Sequence, residues 1–190
     1  MLVAQGVRAS ELFLGHHLPA QELDRIYSGL NQEMQNIILI GMPGSGKSTI
    51  AERLAKALGR ECVEADLEIE KEAGCTIPEI FAAEGEEGFR RRETAVLAEL
   101  GKRSGLVLST GGGCVTRAEN YPLLHQNGIM IRITRDLTKL ARGGRPLSQN
   151  ADLAQMAAAR DPFYARFADA TVSNDGTPEE TVQAILEVLK

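Results

Sequence analysis

A glycine-rich stretch of the chain contains the residue types that hold a phosphate group. Its sequence is Gly41-Met42-Pro43-Gly44-Ser45-Gly46-Lys47-Ser48-Thr49, and it lies between an apolar run, 36–40, and a helical pattern that ends near Gly59. Glycines permit backbone angles at which successive N–H groups face an anion, and the following helix N-terminus favours negative charge. We therefore expect Lys47 to reach the β- and γ-phosphates of ATP, and the Ser48 hydroxyl to bind Mg²⁺. An ordinary glycine-rich turn is the alternative.

Two carboxylates, Glu64 and Asp66, follow the second predicted strand. Asp66 could orient or deprotonate an attacking hydroxyl, and Glu64 could hold the water shell of Mg²⁺. Asp66 is also well placed to cap the N-terminus of a helix that begins at Leu67, and this role is compatible with the first.

Arg90 and Glu93 lie three residues apart in a predicted helix and therefore share one face, with Glu86 four residues before Arg90. A guanidinium that a carboxylate holds in a fixed orientation suits bidentate recognition of a substrate carboxylate. A charged helix face in contact with solvent is the alternative, and Arg91 and Arg92 fit that description.

Three successive glycines, Gly111, Gly112 and Gly113, follow the third predicted strand and would let the backbone approach a ligand closely. A flexible loop is the alternative. The strand itself ends in Ser109-Thr110, where many phosphate-loop proteins carry a magnesium-binding aspartate. A metal ion must then depend on Ser48 and on a carboxylate elsewhere, for which Glu64 is the candidate.

Further arginines follow the fourth predicted strand. The basic segment 135–147 contains Arg142 and Arg145, and we interpret it as a lid that brings an arginine to the transferring phosphoryl group. A plain surface loop is the alternative. Arg160 follows a helical run and is another isolated arginine.

Strands and helices alternate from residue 36 onward, which predicts an α/β domain with a parallel sheet. Such sheets bind ligands at the carboxyl ends of their strands, and the residues above follow strands. Residues 1–35 read as two short helices that a phosphate-loop domain does not need. The predicted strands are 37–40, 61–64, 106–109, 129–133 and 170–173, and the predicted helices are 47–58, 77–84, 86–102, 152–160 and 178–189.

The composition fits one globular domain of 190 residues, with 43% hydrophobic and 25% charged residues. The net charge of −5 argues against a nucleic-acid-binding protein. Three cysteines without metal-like spacing favour free thiols in a reducing compartment. No apolar run is long enough for a membrane span, and the N-terminus does not resemble a signal peptide. We expect a cytoplasmic protein without a membrane partner, and a monomer is the simplest expectation.

Taken together, the chain from about residue 36 to 190 resembles shikimate kinase. Four motifs carry the resemblance in order, and two shorter pieces extend it: the loop 41–49, Asp66, Phe89-Arg90-x-x-Glu93 and Gly111-Gly112-Gly113, then Arg145-Pro146-Leu147 and Arg160-x-Pro-x-Tyr164. The resemblance implies a three-layer P-loop kinase fold with a five-stranded parallel sheet, helices on both faces and a short lid. It implies transfer of the ATP γ-phosphoryl group to the 3-hydroxyl of shikimate.

The resemblance also implies roles for individual residues. Asp66 is the implied base, with Lys47 and Arg145 stabilising the transferring group. Arg90 and Arg160 clamp the shikimate carboxylate, and Glu93 orients Arg90. The implied substrate-binding glycines are Gly111, Gly112 and Gly113. The implied ATP-binding residues are Gly44, Ser45, Gly46, Lys47, Ser48, Thr49, Arg142 and Arg145, and the implied Mg²⁺ ligands are Ser48 and Glu64.

The sequence departs from the family pattern at three places. Glu64 stands where the family usually has an aspartate, the lid is about four residues shorter than usual, and Thr177 occupies a position that often bears arginine. Residues 1–15 resemble the closing helix of shikimate dehydrogenase, which suggests the relic of a fusion between two enzymes. A family-specific extension is the alternative.

Two other functions remain open at this point. One is a related small-molecule kinase of the gluconate or nucleoside monophosphate type. A nucleotide acceptor would need groups that recognise a base in place of Arg90 and Arg160. The other is a non-catalytic nucleotide-binding module, which would be expected to lack Asp66 or Lys47.

Overall fold

The computed structural model describes residues 2–15, 19–140 and 153–190, and the chain divides into two compact units, Met1–Gln35 and Asn36–Lys190. The first unit contains two helices, α1 (Leu2–Leu14) and α2 (Ala20–Met34). α1 is followed by Gly15, whose backbone N–H donates to the Glu11 carbonyl at 2.9 Å. Within the described ranges, no helix is long and apolar enough to cross a membrane.

The second unit is built on a five-stranded, all-parallel sheet, as the sequence predicts. Its strand order is β2-β3-β1-β4-β5. The central strand β1 is hydrogen-bonded to β3 on one side and to β4 on the other, so the segments that follow these three strands emerge side by side. The strands are β1 (Asn36–Ile40), β2 (Glu61–Glu64), β3 (Leu106–Ser109), β4 (Gly128–Thr134) and β5 (Ala170–Ser173).

Helices cover both faces of this sheet, because the side chains of β1 alternate between two hydrophobic clusters. Ile37 and Leu39 pack in one cluster with residues of α3 and α8, whereas Ile38 and Ile40 pack in the other with residues of α4, α5, α6 and α7. All five residues of β1 are buried. The predicted three-layer arrangement is therefore confirmed. The helices are α3 (Lys47–Leu58), α4 (Ala65–Ala73), α5 (Ile77–Leu100), α6 (Asn120–His125), α7 (Leu153–Phe167) and α8 (Pro178–Val188).

Two helices differ from the sequence prediction in an informative way. α5 combines the two predicted helices, which meet at a kink where Gly85 has φ 69° and ψ −175°. α7 continues past Arg160 and contains Pro162 within its length, so Arg160 lies on a helix rather than after one. Proline is tolerated in the first turn of a helix, but Pro162 lies in the interior of α7, which extends five residues beyond it to Phe167.

The predicted capping role of Asp66 is wrong. α4 begins at Ala65, its N-cap residue is Glu64, and no side chain caps it. Asp66 is instead the second residue of the first helical turn, where a carboxylate is favoured by the helix dipole. A capping residue must precede the helix, and β2 runs into α4 without an intervening loop that could supply this geometry.

Candidate active site

The glycine-rich loop connects β1 to α3 and has the shape of an anion-binding cradle. Gly44 and Gly46 have φ values of 79° and 93°, which only glycine adopts readily. Lys47 is the first residue of α3 and is almost fully buried, with Nζ donating to the carbonyls of Gly41 at 2.9 Å and Met42 at 3.0 Å. The loop thus carries a buried cation and a helix N-terminus at the same place, which suits a phosphate.

A group of side-chain oxygens lies beside this loop, at the ends of β2 and β3. Ser48 Oγ donates to Glu64 Oε2 at 3.0 Å and lies 3.5 Å from Ser109 Oγ. Hydroxyl and carboxylate oxygens are the ligands that Mg²⁺ prefers, and this ion keeps several waters when few protein ligands are present. Within the described residues, no cluster of three or more His, Cys, Asp or Glu side chains could hold a metal ion. The pair Ser48 and Glu64 therefore fits an ion that also binds phosphates and water.

Asp66 and Glu93 converge on Gly111. A Cβ atom added to Gly111 would lie 2.7 Å from Asp66 Oδ1 and 3.0 Å from Glu93 Oε1. Asp66 is half-buried, whereas Glu93 is completely buried. The two carboxylates thus share one corner of the site, at the carboxyl ends of β2 and β3.

Arg90 and Glu93 form a buried ion pair and are not part of a charged helix face in contact with solvent. Arg90 is 5% exposed, and its Nη1 donates to Glu93 Oε2 at 2.7 Å. Its Nη2 also lies 3.4 Å from Oε1 of the exposed Glu86. Burial raises the pKa of the Glu93 carboxyl, and the positive charge of Arg90 opposes this effect only in part. Within the described residues, Glu93 Oε1 and Arg90 Nε have no hydrogen-bond partner, so the pair retains unused hydrogen-bonding capacity.

Glycine stands at these three positions because neighbouring side chains occupy the space that a Cβ atom would need. Unusual backbone angles are not the reason. None of them has a positive φ. A Cβ on Gly112 would lie 2.6 Å from Pro43 Cδ, and one on Gly113 would lie 2.1 Å from Arg90 Nη2. The glycine segment is buried along its length, which argues against the alternative of a flexible loop.

Arg160 reaches the same segment from α7. Its Nη1 donates to the Gly112 carbonyl at 3.2 Å, and the hydroxyl of Tyr164 donates to the same carbonyl at 2.6 Å. Arg160 and Tyr164 are four residues apart and therefore share one face of the helix. Burial raises the pKa of the Tyr164 hydroxyl, which keeps it protonated as a donor. Arg160 is thus held against the glycine segment by its hydrogen bond to the Gly112 carbonyl.

The structure brings together most of the residues that the sequence singles out. They line the carboxyl-terminal edge of the sheet: Gly44, Ser45, Gly46, Lys47, Ser48, Thr49, Glu64, Asp66, Arg90, Glu93, Gly111, Gly112, Gly113 and Arg160. Arg142 and Arg145 lie outside the described residues.

Sequence reasoning missed several residues of the site. Asn174 donates from Nδ2 to the Ser45 carbonyl at 2.7 Å. Arg135 follows β4, and its Nη1 lies 3.8 Å from where a Cβ on Gly46 would stand. Tyr164 belongs to the Arg-x-Pro-x-Tyr piece, which was a usable signal. For Asn174 the sequence shows only a turn before a helix, and its contact depends on tertiary packing across 129 positions.

This arrangement can place two small molecules against each other. One part is a cradle for phosphates with oxygens suited to Mg²⁺, and the other contains two arginines and a half-buried aspartate. The two parts touch where Pro43 packs against Gly112. Such a site can move a phosphoryl group by positioning and charge, without a covalent intermediate.

Comparison with known proteins gives a consistent result. The family model described as shikimate kinase matches residues 43–190. A shikimate kinase of Acinetobacter baumannii (strain AYE) is 42% identical over 168 residues, which cover 83% of this chain and 93% of that protein. One from Pseudomonas savastanoi pv. phaseolicola is 44% identical over 165 residues, covering 82% and 95% respectively. A solved structure of shikimate kinase from Acinetobacter baumannii in complex with shikimate has a TM-score of 0.76 and 40% identity, and the match covers 85% of this chain and 96% of that one.

Proposed function

The chain belongs to the shikimate kinase family, and on this premise we propose that it transfers the γ-phosphoryl group of ATP to the 3-hydroxyl of shikimate. One observation carries the proposal: the buried Arg90–Glu93 pair stands directly beside Gly113, next to a phosphate cradle. A small anionic polyol needs arginines for its carboxylate and a carboxylate for its reacting hydroxyl, and both lie at this edge of the sheet.

Arg90 and Arg160 bind the acceptor carboxylate. Both guanidinium groups border the glycine segment, Arg90 beside Gly113 and Arg160 at the Gly112 carbonyl. Glu93 holds Arg90 in orientation through the 2.7 Å bond, which leaves for the ligand those N–H donors of the guanidinium that face neither Glu93 nor Glu86. The geometry favours a planar anion such as a carboxylate, because guanidinium groups bind it in a bidentate manner.

Asp66 orients the reacting hydroxyl and accepts its proton. The carboxylate lies at the start of α4, close to Gly111 and on the same corner as Glu93. Proton acceptance by a positioned carboxylate contributes about 10²- to 10⁴-fold to a rate.

The phosphates of ATP bind along the loop, where Gly44, Gly46, Ser48 and Thr49 offer backbone N–H groups. The Ser45 N–H donates to the Met42 carbonyl at 3.2 Å and would have to exchange that partner for a phosphate oxygen. Lys47 exchanges its two carbonyl partners for phosphate oxygens, which bind an ammonium group more strongly. Ser48 and Glu64 would hold Mg²⁺, and the ion would supply positive charge that neutralises the phosphates. The family resemblance implies that Arg142 and Arg145, which lie outside the described residues, also bind ATP.

A coupled assay of ADP release tests the reaction. We expect release that depends on shikimate and does not occur with gluconate or with nucleoside monophosphates. Arg90→Ala should raise the shikimate KM by at least tenfold with little change in the ATP KM, since removing one charge from a desolvated pair costs about 2–5 kcal/mol. Arg91→Ala is the matched control, because Arg91 is exposed and pairs only loosely with Glu87 at 4.0 Å. ADP release that is independent of shikimate would contradict the proposal.

The metal role of Glu64 needs a separate experiment. Glu64→Gln should raise the Mg²⁺ concentration needed for half-maximal activity, since a charged ligand of the ion is replaced by a neutral one. Glu61→Gln is the control at the other end of β2, where Glu61 pairs with the exposed Arg103. An unchanged Mg²⁺ requirement in Glu64→Gln would show that Glu64 does not bind the metal ion.

The kinase domain spans residues 36–190 and acts as a monomer in the cytoplasm. Residues 1–35 form a separate extension, with residues 1–15 the relic of a fusion to shikimate dehydrogenase. Deletion of residues 1–30 should leave kinase activity unchanged, and gel filtration should give the mass of one chain. A sharp loss of activity after deletion would contradict the idea of a relic.

A further inference from the structure

Asn174 directly follows β5 and connects the glycine-rich loop to the end of β4 and to α8. It is 5% exposed, and its backbone N–H donates to the Thr134 carbonyl at 2.8 Å. Its side-chain Nδ2 donates to the Ser45 carbonyl in the glycine-rich loop at 2.7 Å. Its Oδ1 accepts a hydrogen bond from Thr181 Oγ1 at 3.0 Å. The amide is therefore satisfied on both sides, and its orientation is fixed.

The direction of the amide follows from the chemistry of its partner. The Ser45 carbonyl can only accept a hydrogen bond, so the NH₂ group of Asn174 must face the loop. Gly46 permits this approach, because a Cβ at that position would lie 2.4 Å from Asn174 Nδ2. The glycine is thus required by both its φ of 93° and the space that the asparagine occupies.

This bond determines which way one peptide group of the loop points. No cis peptide bond is present among the described residues, so the Ser45 carbonyl and the Gly46 N–H point in opposite directions. Holding the carbonyl against Asn174 therefore turns the Gly46 N–H away from it. A rotated peptide would instead present a carbonyl oxygen to the phosphates, which repels an anion.

We propose that Asn174 is a positioning residue for nucleotide binding, which orients the Ser45–Gly46 peptide so that the Gly46 N–H faces the phosphates. This inference depends on the proposed function only in that ATP binds at the loop. Thr181 supports the same arrangement from α8, through its hydrogen bond to Oδ1. The chain after β5 thus acts on the phosphates through the backbone of the loop.

Asn174→Asp is the sharpest variant, because it keeps the shape of the side chain and replaces the donor by a second acceptor. Leaving a buried carbonyl without its donor should weaken ADP binding by about tenfold or more. Thr181→Val keeps the volume of the side chain, loses only the hydroxyl, and should produce a smaller loss. The shikimate Kd should change by less than about twofold in both variants, since Arg90, Arg160 and Asp66 are untouched.

Asn36→Asp is the matched control. Asn36 is also a buried asparagine whose Nδ2 donates to a backbone carbonyl, that of Arg103 at 2.7 Å, but it lies at the opposite end of the sheet. It should reduce thermal stability without changing the Kd for ADP. If Asn174→Asp does not fold, Thr181→Val still tests the inference.

Three measurements separate the outcomes: the Kd for ADP and the Kd for shikimate by calorimetry, and the Gly46 amide resonance by NMR. A weaker ADP Kd, a shifted Gly46 amide in the free protein and an unchanged shikimate Kd would support the inference. An unchanged ADP Kd, or equal losses for ADP and shikimate, would overturn it. Wild-type protein that binds ADP but does not phosphorylate shikimate would contradict the proposed function and leave this inference standing.

Discussion

The buried Arg90–Glu93 pair allows a prediction about stability that can be followed with pH. Arg90→Met removes the positive charge but retains most of the side-chain length, so that little cavity forms. Glu93 is then a fully buried carboxylate without its partner. Burial already raises the pKa of Glu93, and loss of the Arg90 charge should raise it further.

The sign of the pH effect follows from proton binding. With a pKa above the ordinary 4.5, Glu93 keeps its proton in the folded state over a pH range where the unfolded chain has released it. The free energy of unfolding of the variant must therefore fall as pH rises above 4.5, by up to about 1.36 kcal/mol per pH unit. Removing one partner of a buried pair usually costs about 3–5 kcal/mol, and the further rise in the pKa of Glu93 makes this loss larger at pH 7 than at pH 5.

Urea unfolding followed by circular dichroism at pH 5 and pH 7 measures this effect. Because the pKa of Glu93 is already raised in the wild type, the comparison measures only the further rise, and Arg90→Met should lose more stability relative to wild type at pH 7 than at pH 5. The double variant Arg90→Met/Glu93→Gln should lose this dependence on pH, because no buried carboxyl remains to titrate. Equal destabilisation at both pH values, or a double variant with the same pH dependence as Arg90→Met, would refute the reasoning.

Three further predictions concern the site and its scaffold. Asp66→Ala should lower kcat by about 10²-fold or more while ADP still binds, and an unchanged kcat would remove Asp66 from the chemistry. Gly113→Ala should raise the shikimate KM more than the ATP KM in steady-state assays, because the new Cβ would lie 2.1 Å from Arg90 Nη2. Thr177→Ala removes the capping box at the start of α8 and should cost about 1 kcal/mol in urea unfolding with unchanged kcat; a loss of activity instead would show a role beyond capping.

The sheet and its main helices were predictable because their signals are local. Three strands, β2, β3 and β5, have the predicted bounds, and each of these short segments contains a valine, which favours strands. The kink at Gly85 was also visible as a break between two helical patterns. α7 was predicted too short because Asp161-Pro162 resembles a helix end, whereas packing of Tyr164 and Phe167 in the core continues the helix.

Site residues could be predicted where they lie at or just after the end of a strand. They were harder to predict where their position depends on contacts between distant parts of the chain. Lys47 and Gly111 follow β1 and β3, Glu64 is the last residue of β2, and parallel strands bring their carboxyl ends together. Whether Arg90 faces solvent or the core could not be decided from spacing alone, because the same pattern fits both. For Asn174 the sequence indicates only a turn, since its bond to Ser45 exists only once β5 lies beside β4.

The contact between Pro43 and Gly112 has a consequence for how this protein tolerates mutation. Gly112 has an ordinary backbone conformation, so an alanine would be acceptable there in an isolated peptide. In the folded chain its Cβ would lie 2.6 Å from the proline ring, and the two loops would have to separate. The distance between the glycine-rich loop, 41–49, and the glycine segment, 111–113, thus depends on the absence of a methyl group at position 112. Random mutagenesis should therefore find Gly112 as intolerant as the loop glycines, through misplaced reactants rather than through misfolding.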